Sequence, residues 1–312
     1  MQLYKSRGFS EFFQDTFAFL KSNGKHFFKH YLIINGFFLI IMMVMLYFFT
    51  KFYTSVIFGG LMGNNSTVID DYMNENLGLF IVLVFVFVIV ALVAGVISFS
   101  FVPLYLKLFA ERDGQHFGTS ELVAAYKSNL GKIFIFLVCG FILGIPLAIM
   151  MGIGMFILII TIIGMLMVPV LIGAFSLFYN MTLMEYMEQK RGIWDSFGYA
   201  WTLMTSKFWP AVGSVGLFFL MSYIIQSVFS MIPYIFGMAS LFTTIESGTP
   251  NPEDVSYTMT IMMLAVFFLS FFAGAILGVV VQLNQGIIFY SLKEDNENIN
   301  TKSVIDQIGS GE

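Results

Sequence analysis

Charge is scarce in this sequence: Asp, Glu, Lys and Arg together make up 11% of 312 residues, less than half the share of a typical soluble chain. The hydrophobic fraction is 58% and the mean hydropathy +0.86. Such a composition excludes an ordinary water-soluble enzyme and an intrinsically disordered chain. Basic excess is missing too. With 15 Lys+Arg against 19 Asp+Glu, no cationic surface can displace the counterions of a nucleic acid, so nucleic-acid partners are not expected. Cysteine occurs once, as Cys139, which excludes an internal disulfide and a multi-cysteine metal site. Also absent is the alternation of apolar and polar residues over roughly ten-residue segments that marks a membrane β-barrel. The apolar runs are continuous instead. What remains is an all-α, polytopic helical membrane protein forming a single membrane domain over 1–312.

A charged side chain at mid-bilayer costs at least about 2.5–3.5 kcal/mol, so charge-free stretches mark the spans. The interval from Lys29 to Lys51 and the segments 79–106, 133–184, 207–245 and 255–292 hold no interior charge apart from Lys207 at an edge. A span takes about 20 residues, so 133–184 accommodates two. Their break is expected at Gly152-Ile153-Gly154, or alternatively near Gly164. Six transmembrane helices follow, approximately 31–51, 79–107, 133–152, 156–184, 210–232 and 257–290. Every cation except Lys51 falls on one side of these spans, whereas the opposite loops carry Asp70, Asp71, Glu75, Glu246, Glu253 and Asp254. The positive-inside rule then makes both termini cytoplasmic, with 293–312 a short polar tail. The first apolar run begins only at Tyr31 and is too long for a signal-peptide core.

A pattern recurs ahead of each odd-numbered span: Gly8-Phe9-Ser10-Glu11, Gly118-Thr119-Ser120-Glu121 and Gly192-Ile193-Trp194-Asp195. Each Gly-x-x-acid opens a 3.6-periodic amphipathic stretch, with Phe9, Phe13, Phe17 and Leu20 on one face of the first, Phe12 beside them. Leu122, Val123, Tyr126 and Leu130 form the second face, and Ile193, Phe197, Ala200, Trp201 and Met204 the third. A lysine closes each stretch, at Lys25, Lys132 and Lys207, as the helix dipole favours. The exits also match, reading Leu108-Phe109-Ala110-Glu111, Glu185-Tyr186-Met187-Glu188 and Phe289-Tyr290-Ser291-Leu292. The chain therefore reads as three parallel repeats of an amphipathic interfacial helix plus a transmembrane hairpin, over 8–111, 118–188 and 192–292.

Ionisable residues are missing from the span interiors. Proton-coupled transport and intramembrane proteolysis both need such groups, so no catalytic residue is assigned. A membrane enzyme would have to assemble the Asp70-Asp71 and Glu253-Asp254 loops. His26 and His30 are spaced to share a metal, but no third ligand is near in sequence, and neither HExxH nor a Cys/His cluster exists. They are placed among headgroups, with no metal and no cofactor expected. The sequons at Asn64 and Asn65 read as accidental matches in an Asn-rich turn. Within the spans the polar signal is amide: Asn35, Asn180, Gln226, Gln282, Asn284 and Gln285. All but Gln226 lie toward the cytoplasmic end, where they form either a polar vestibule or interhelical hydrogen bonds worth about 0.6 kcal/mol each. Gly140, Gly144, Gly164, Gly274 and Gly278 offer small surfaces for close helix approach.

The segment from Gly192 to Pro210, with Ala200-Trp201-Thr202-Leu203 and then Lys207-Phe208-Trp209-Pro210 entering a span, resembles the multi-helix membrane domain attached to some bacterial glycerophosphoryl diester phosphodiesterases and its stand-alone relatives. The resemblance extends over most of the chain. It implies the helical fold and residence in a bacterial cytoplasmic membrane, and it carries no catalytic residue onto this sequence, because hydrolysis in those enzymes belongs to an appended barrel.

These readings lead to a non-enzymatic integral membrane protein serving as a scaffold, as an accessory subunit of a membrane complex, or in lipid organisation. Its partners would be membrane lipids and another membrane protein or a second copy. Contact would run through Phe9, Phe13, Phe17, Tyr126, Trp194, Phe197 and Trp201 on the amphipathic helices. The alternative is a transporter or channel for an apolar or amphipathic solute, with Asn35, Asn180, Gln282, Asn284 and Gln285 lining a vestibule.

Overall fold

A computed structural model describes residues 2–62, 66–246 and 252–300. The described residues form seven helices and no strand: α1 (Phe9–Met62), α2 (Ser66–Glu111), α3 (Thr119–Ile159), α4 (Ile162–Met187), α5 (Ile193–Ser206), α6 (Phe208–Glu246) and α7 (Pro252–Glu297). All except the 14-residue α5 are long and apolar enough to cross a membrane.

The recurring Gly-x-x-acid is a helix start. Gly8 O accepts from Phe12 N at 3.0 Å, Gly118 O from Leu122 N at 3.2 Å and Gly192 O from Ser196 N at 2.9 Å. The acid three residues on turns back: Glu11 Oε2 accepts from Gly8 N at 2.9 Å and Glu121 Oε2 from Gly118 N at 3.0 Å. One otherwise orphaned N–H is thereby satisfied, and a negative charge sits where the helix dipole favours it. The exits share a device as well. Asp113, Gln189 and Asn298 adopt left-handed backbone with φ of 51°, 64° and 51° just beyond α2, α4 and α7, the conformation that commonly terminates a helix.

Two boundaries differ from the sequence expectation. The amphipathic stretches of the first two repeats are not separate helices, because α1 and α3 run unbroken into their spans. Nothing at Lys25 or Lys132 removes a backbone donor. Before α6, by contrast, Pro210 lacks the N–H that a continuous helix would direct at Ser206 O, so α5 ends there and α6 restarts at Phe208. The turn between the third and fourth spans is also displaced. Gly152-Ile153-Gly154 lies inside α3, and the chain reverses at Ile160-Thr161, where Thr161 Oγ1 caps α4 by accepting from Gly164 N at 2.9 Å. A Cβ on Gly164 would stand 2.0 Å from Leu158 O, so the turn requires glycine at that position.

The chain divides into two compact units. The first comprises residues 1–34, 96–221 and 278–312 and is organised around the last part of α7. Every residue from Leu283 to Glu294 is buried, the mark of a helix enclosed on all sides. Asn284 meets α1 and α6, Gln285 meets α4, Lys293 meets α4, and Gly286 lies beside Leu106 and Val102 of α2. In the same unit α4 and α6 approach backbone to backbone. A Cβ on Gly216 would lie 3.0 Å from Val170 Cα, and one on Gly173 3.1 Å from Gly216 N. Tyr179 of α4 lies across Gly140 and Gly144 of α3, donating its hydroxyl to Gly140 O at 3.1 Å.

The second unit comprises 35–95 and 222–277. Phe49 of α1 contacts Phe80 and Phe87 of α2, and Ser230 of α6 meets Ser270 of α7 at 2.8 Å. A groove of about 850 Å³ runs between α1 and α7, past Met43, Tyr47, Leu264 and Phe268. Gly274 faces Gln226 of α6.

Candidate functional site

The helix ends of the first unit carry an ionic network that the sequence reading did not place. Lys293 of α7 has a fully buried side chain, with Nζ 2.5 Å from both Glu185 Oε2 and Glu188 Oε2 at the end of α4. Glu185, equally buried, takes Arg191 on its other oxygen. Arg191 lies 3.6 Å over the Tyr199 ring and 3.3 Å from Glu297, which accepts the Tyr199 hydroxyl at 2.7 Å. Lys207 closes on Asp295 at 2.7 Å. Lysines from two other helices cap the end of α4, Lys107 Nζ donating to Met187 O at 2.9 Å and Lys132 Nζ to Tyr186 O at 3.4 Å. The N-terminal residues join the same end. Tyr4 donates to Glu188 at 3.4 Å, while the buried Arg7 gathers Asp15 at 2.7 Å and the carbonyl oxygens of Gln2, Leu3 and Lys5.

Glu297 is the last residue of α7, past the charge-free stretch 255–292. Burial pushes its carboxyl up, but the Tyr199 hydroxyl and the Lys293, Lys190 and Arg191 charges outweigh that and hold it below the usual carboxylate value of 4.5. A carboxylate depressed in the folded state contributes stability that is complete above its unfolded value and lost as pH falls through its folded value. Acid unfolding monitored by circular dichroism should therefore steepen below pH 4.5, and Glu297→Gln should flatten that limb. An unchanged acid limb in the variant would show that Glu297 carries none of it.

The amphipathic helices are sorted by face. In α1, Phe12, Thr16 and Phe19 are wholly buried, whereas Phe9 and Phe17 are exposed. Phe13 lies between these faces, 5.4 Å from Phe218 of α6. In α5, Phe197, Ala200, Leu203 and Met204 point into the core, and Phe197 packs on Phe136 and Phe178. Trp194 and Trp201 remain 55% and 58% exposed. Tyr126 turns inward and donates to Ile97 O at 2.6 Å. Of the aromatic residues singled out from sequence, Phe9, Phe17, Trp194 and Trp201 are thus available to a partner, whereas Phe197 belongs to the core. Trp209, 72% exposed, is an additional one.

The amides divide differently. Asn284 is fully buried and donates to Thr16 Oγ1 at 3.0 Å and Ser214 Oγ at 3.2 Å, tying α1, α6 and α7 together. Gln285 donates to Ser176 Oγ at 2.7 Å. Its carbonyl oxygen, that of Gln282, and both amide atoms of the fully buried Asn180 have no hydrogen-bond partner among the described residues. Asn35 is buried and belongs to the second unit.

His26 and His30 are both hydrogen-bonded to other elements of the first unit. His26 Nδ1 lies 2.8 Å from Tyr105 Oη, His26 Nε2 3.0 Å from Phe117 O and 3.1 Å from His30 Nε2, and His30 Nδ1 2.9 Å from Thr119 Oγ1. One turn of α1 is thereby fastened to α2 and to the start of α3. Sequence spacing exposed the pair but not Phe117, whose contribution is a main-chain oxygen.

The side chains of Asp70, Asp71, Glu253 and Asp254, and the Asn64 and Asn65 sequons, lie outside the described residues. Among the described residues no three His, Cys, Asp or Glu side chains converge as a metal cluster. Compared with known proteins, the chain matches no family model, no curated protein and no solved structure.

Proposed function

We propose that this is a non-enzymatic integral membrane protein, seated in a bacterial cytoplasmic membrane with both termini inside, that serves as a scaffold or accessory subunit of a membrane complex or in lipid organisation. The observation that carries the reading is the two-faced character of α5. Its inward face completes the core, while Trp194 and Trp201 remain largely outside it although the same helix buries four other apolar side chains. Indole rings held at a polar boundary favour contact with headgroups or with a partner at that depth. The exposed Lys21, Lys25 and Lys29, one turn apart on α1, add a cationic stripe suited to anionic lipid. The matching helix starts and left-handed exits support three repeated units.

Trp194→Ala with Trp201→Ala should leave thermal unfolding unchanged within about 0.5 kcal/mol, as surface substitutions do, yet abolish a crosslink formed in native membranes. A photoreactive residue at 201 should label a second protein or a lipid, and one at the buried Ala200 should label only this chain. If position 201 yields no intermolecular adduct, the docking role falls.

A further inference from the structure

We propose that His26, His30 and the main-chain oxygen of Phe117 form a binding site for a divalent transition-metal ion of the zinc class. The two Nε2 atoms face each other at 3.1 Å, and Phe117 O lies 3.0 Å from the nearer one. Nitrogens bound to one tetrahedral zinc at about 2.0–2.1 Å stand roughly 3.3 Å apart. The separation of the two nitrogens is within about 0.2 Å of that value, and with ring centroids 4.3 Å apart and planes at 71° the two imidazoles must also rotate apart to aim both lone pairs at one ion. Each remaining ring nitrogen already faces a hydroxyl able to accept its hydrogen, Tyr105 Oη at 2.8 Å and Thr119 Oγ1 at 2.9 Å. That is how liganding imidazoles are oriented in metal sites.

Proton placement points the same way. A carbonyl oxygen only accepts, so the contact with Phe117 O puts the His26 hydrogen on Nε2. If His30 donates from Nδ1 to Thr119, its Nε2 must share that one hydrogen with Phe117 O. A cation instead satisfies all three lone pairs at once. Between neutral rings its arrival needs no proton release. The His26 hydrogen moves to Nδ1 and is donated to Tyr105, whose own hydroxyl hydrogen turns away.

Two imidazoles and a neutral oxygen select Zn²⁺ or Co²⁺ over Mg²⁺ or Ca²⁺, which prefer sets of oxygen ligands. With three protein donors, the fourth position is left to solvent or an incoming ligand. The ion would clamp α1 against Phe117, two residues before the start of α3.

The experiment uses the untagged full-length chain in detergent, stripped with chelator and dialysed against Zn²⁺. One ion per chain is expected. His26→Gln and His30→Gln should each lose it, while Tyr105→Phe and Thr119→Val should bind 10–100-fold more weakly, the usual effect of removing an orienting partner. His116→Gln, in an exposed turn, should bind normally. Retention of the ion by the His26→Gln, His30→Gln double variant overturns the site. Should those variants fail to fold, Co²⁺ loaded into the unaltered chain decides instead: visible bands of a four-coordinate ion support the site, and the spectrum of a six-coordinate aquo ion overturns it.

Discussion

Lys293→Met is expected to destabilise the folded chain by about 3–5 kcal/mol, the usual effect of breaking a buried ion pair by removing one partner. The lysine side chain is wholly enclosed and touches two carboxylates, of which Glu185 is equally enclosed. Methionine matches the aliphatic stem but leaves Glu185 with Arg191 as its charge partner, and Glu188 with the Tyr4 hydroxyl at 3.4 Å and the exposed Lys190 at 3.9 Å. Adding Glu185→Gln and Glu188→Gln to the same chain should recover more than half of the loss, because the uncompensated charge is then gone. Thermal unfolding of the three forms in one detergent checks this. If the triple variant is as weak as Lys293→Met, the loss comes from packing rather than from stranded charge.

Gly216→Leu should also be damaging, costing about 1–3 kcal/mol or more through overpacking. Its Cβ would already press on Val170 Cα and Cγ2, each at 3.0 Å, and backbone cannot swing aside as a side chain can. Close approach of small residues is how helices associate without a hydrophobic drive in lipid. Gly278→Leu is the matched control, since a Cβ there meets nothing within 4 Å. Equal losses in folded yield for the two variants would remove the special role of the α4–α6 crossing.

The contrast between these glycines shows where sequence reasoning reached and where it stopped. Absence of charge located six spans, because the cost of an ion in lipid depends on composition alone. The Gly-x-x-acid starts were legible because a cap is a local event. Gly274 and Gly278, spaced as GxxxG, were equally visible as small surfaces, yet a Cβ on Gly278 would meet no described atom within 4 Å, whereas Gly173 and Gly216 form the close crossing. A motif records which backbone is bare and not what stands opposite it. Lys293 reads in sequence as the first residue of a solvated tail. Only the arrival of Glu185, 108 positions away, makes it the centre of the network. Phe117 was illegible as a potential ligand because its oxygen belongs to no side chain.

The enclosed stretch Leu283–Glu294 lies in the last of the seven helices to be synthesised. Until it arrives, Glu185 has no lysine, Ser176 no glutamine, and Thr16 and Ser214 no shared amide. The α3–α4 and α4–α6 contacts need no part of it, but the polar ties to α7 must wait for its synthesis. Completion of the first unit therefore follows the synthesis of α7, and a chain ending before residue 283 would lack every one of these ties.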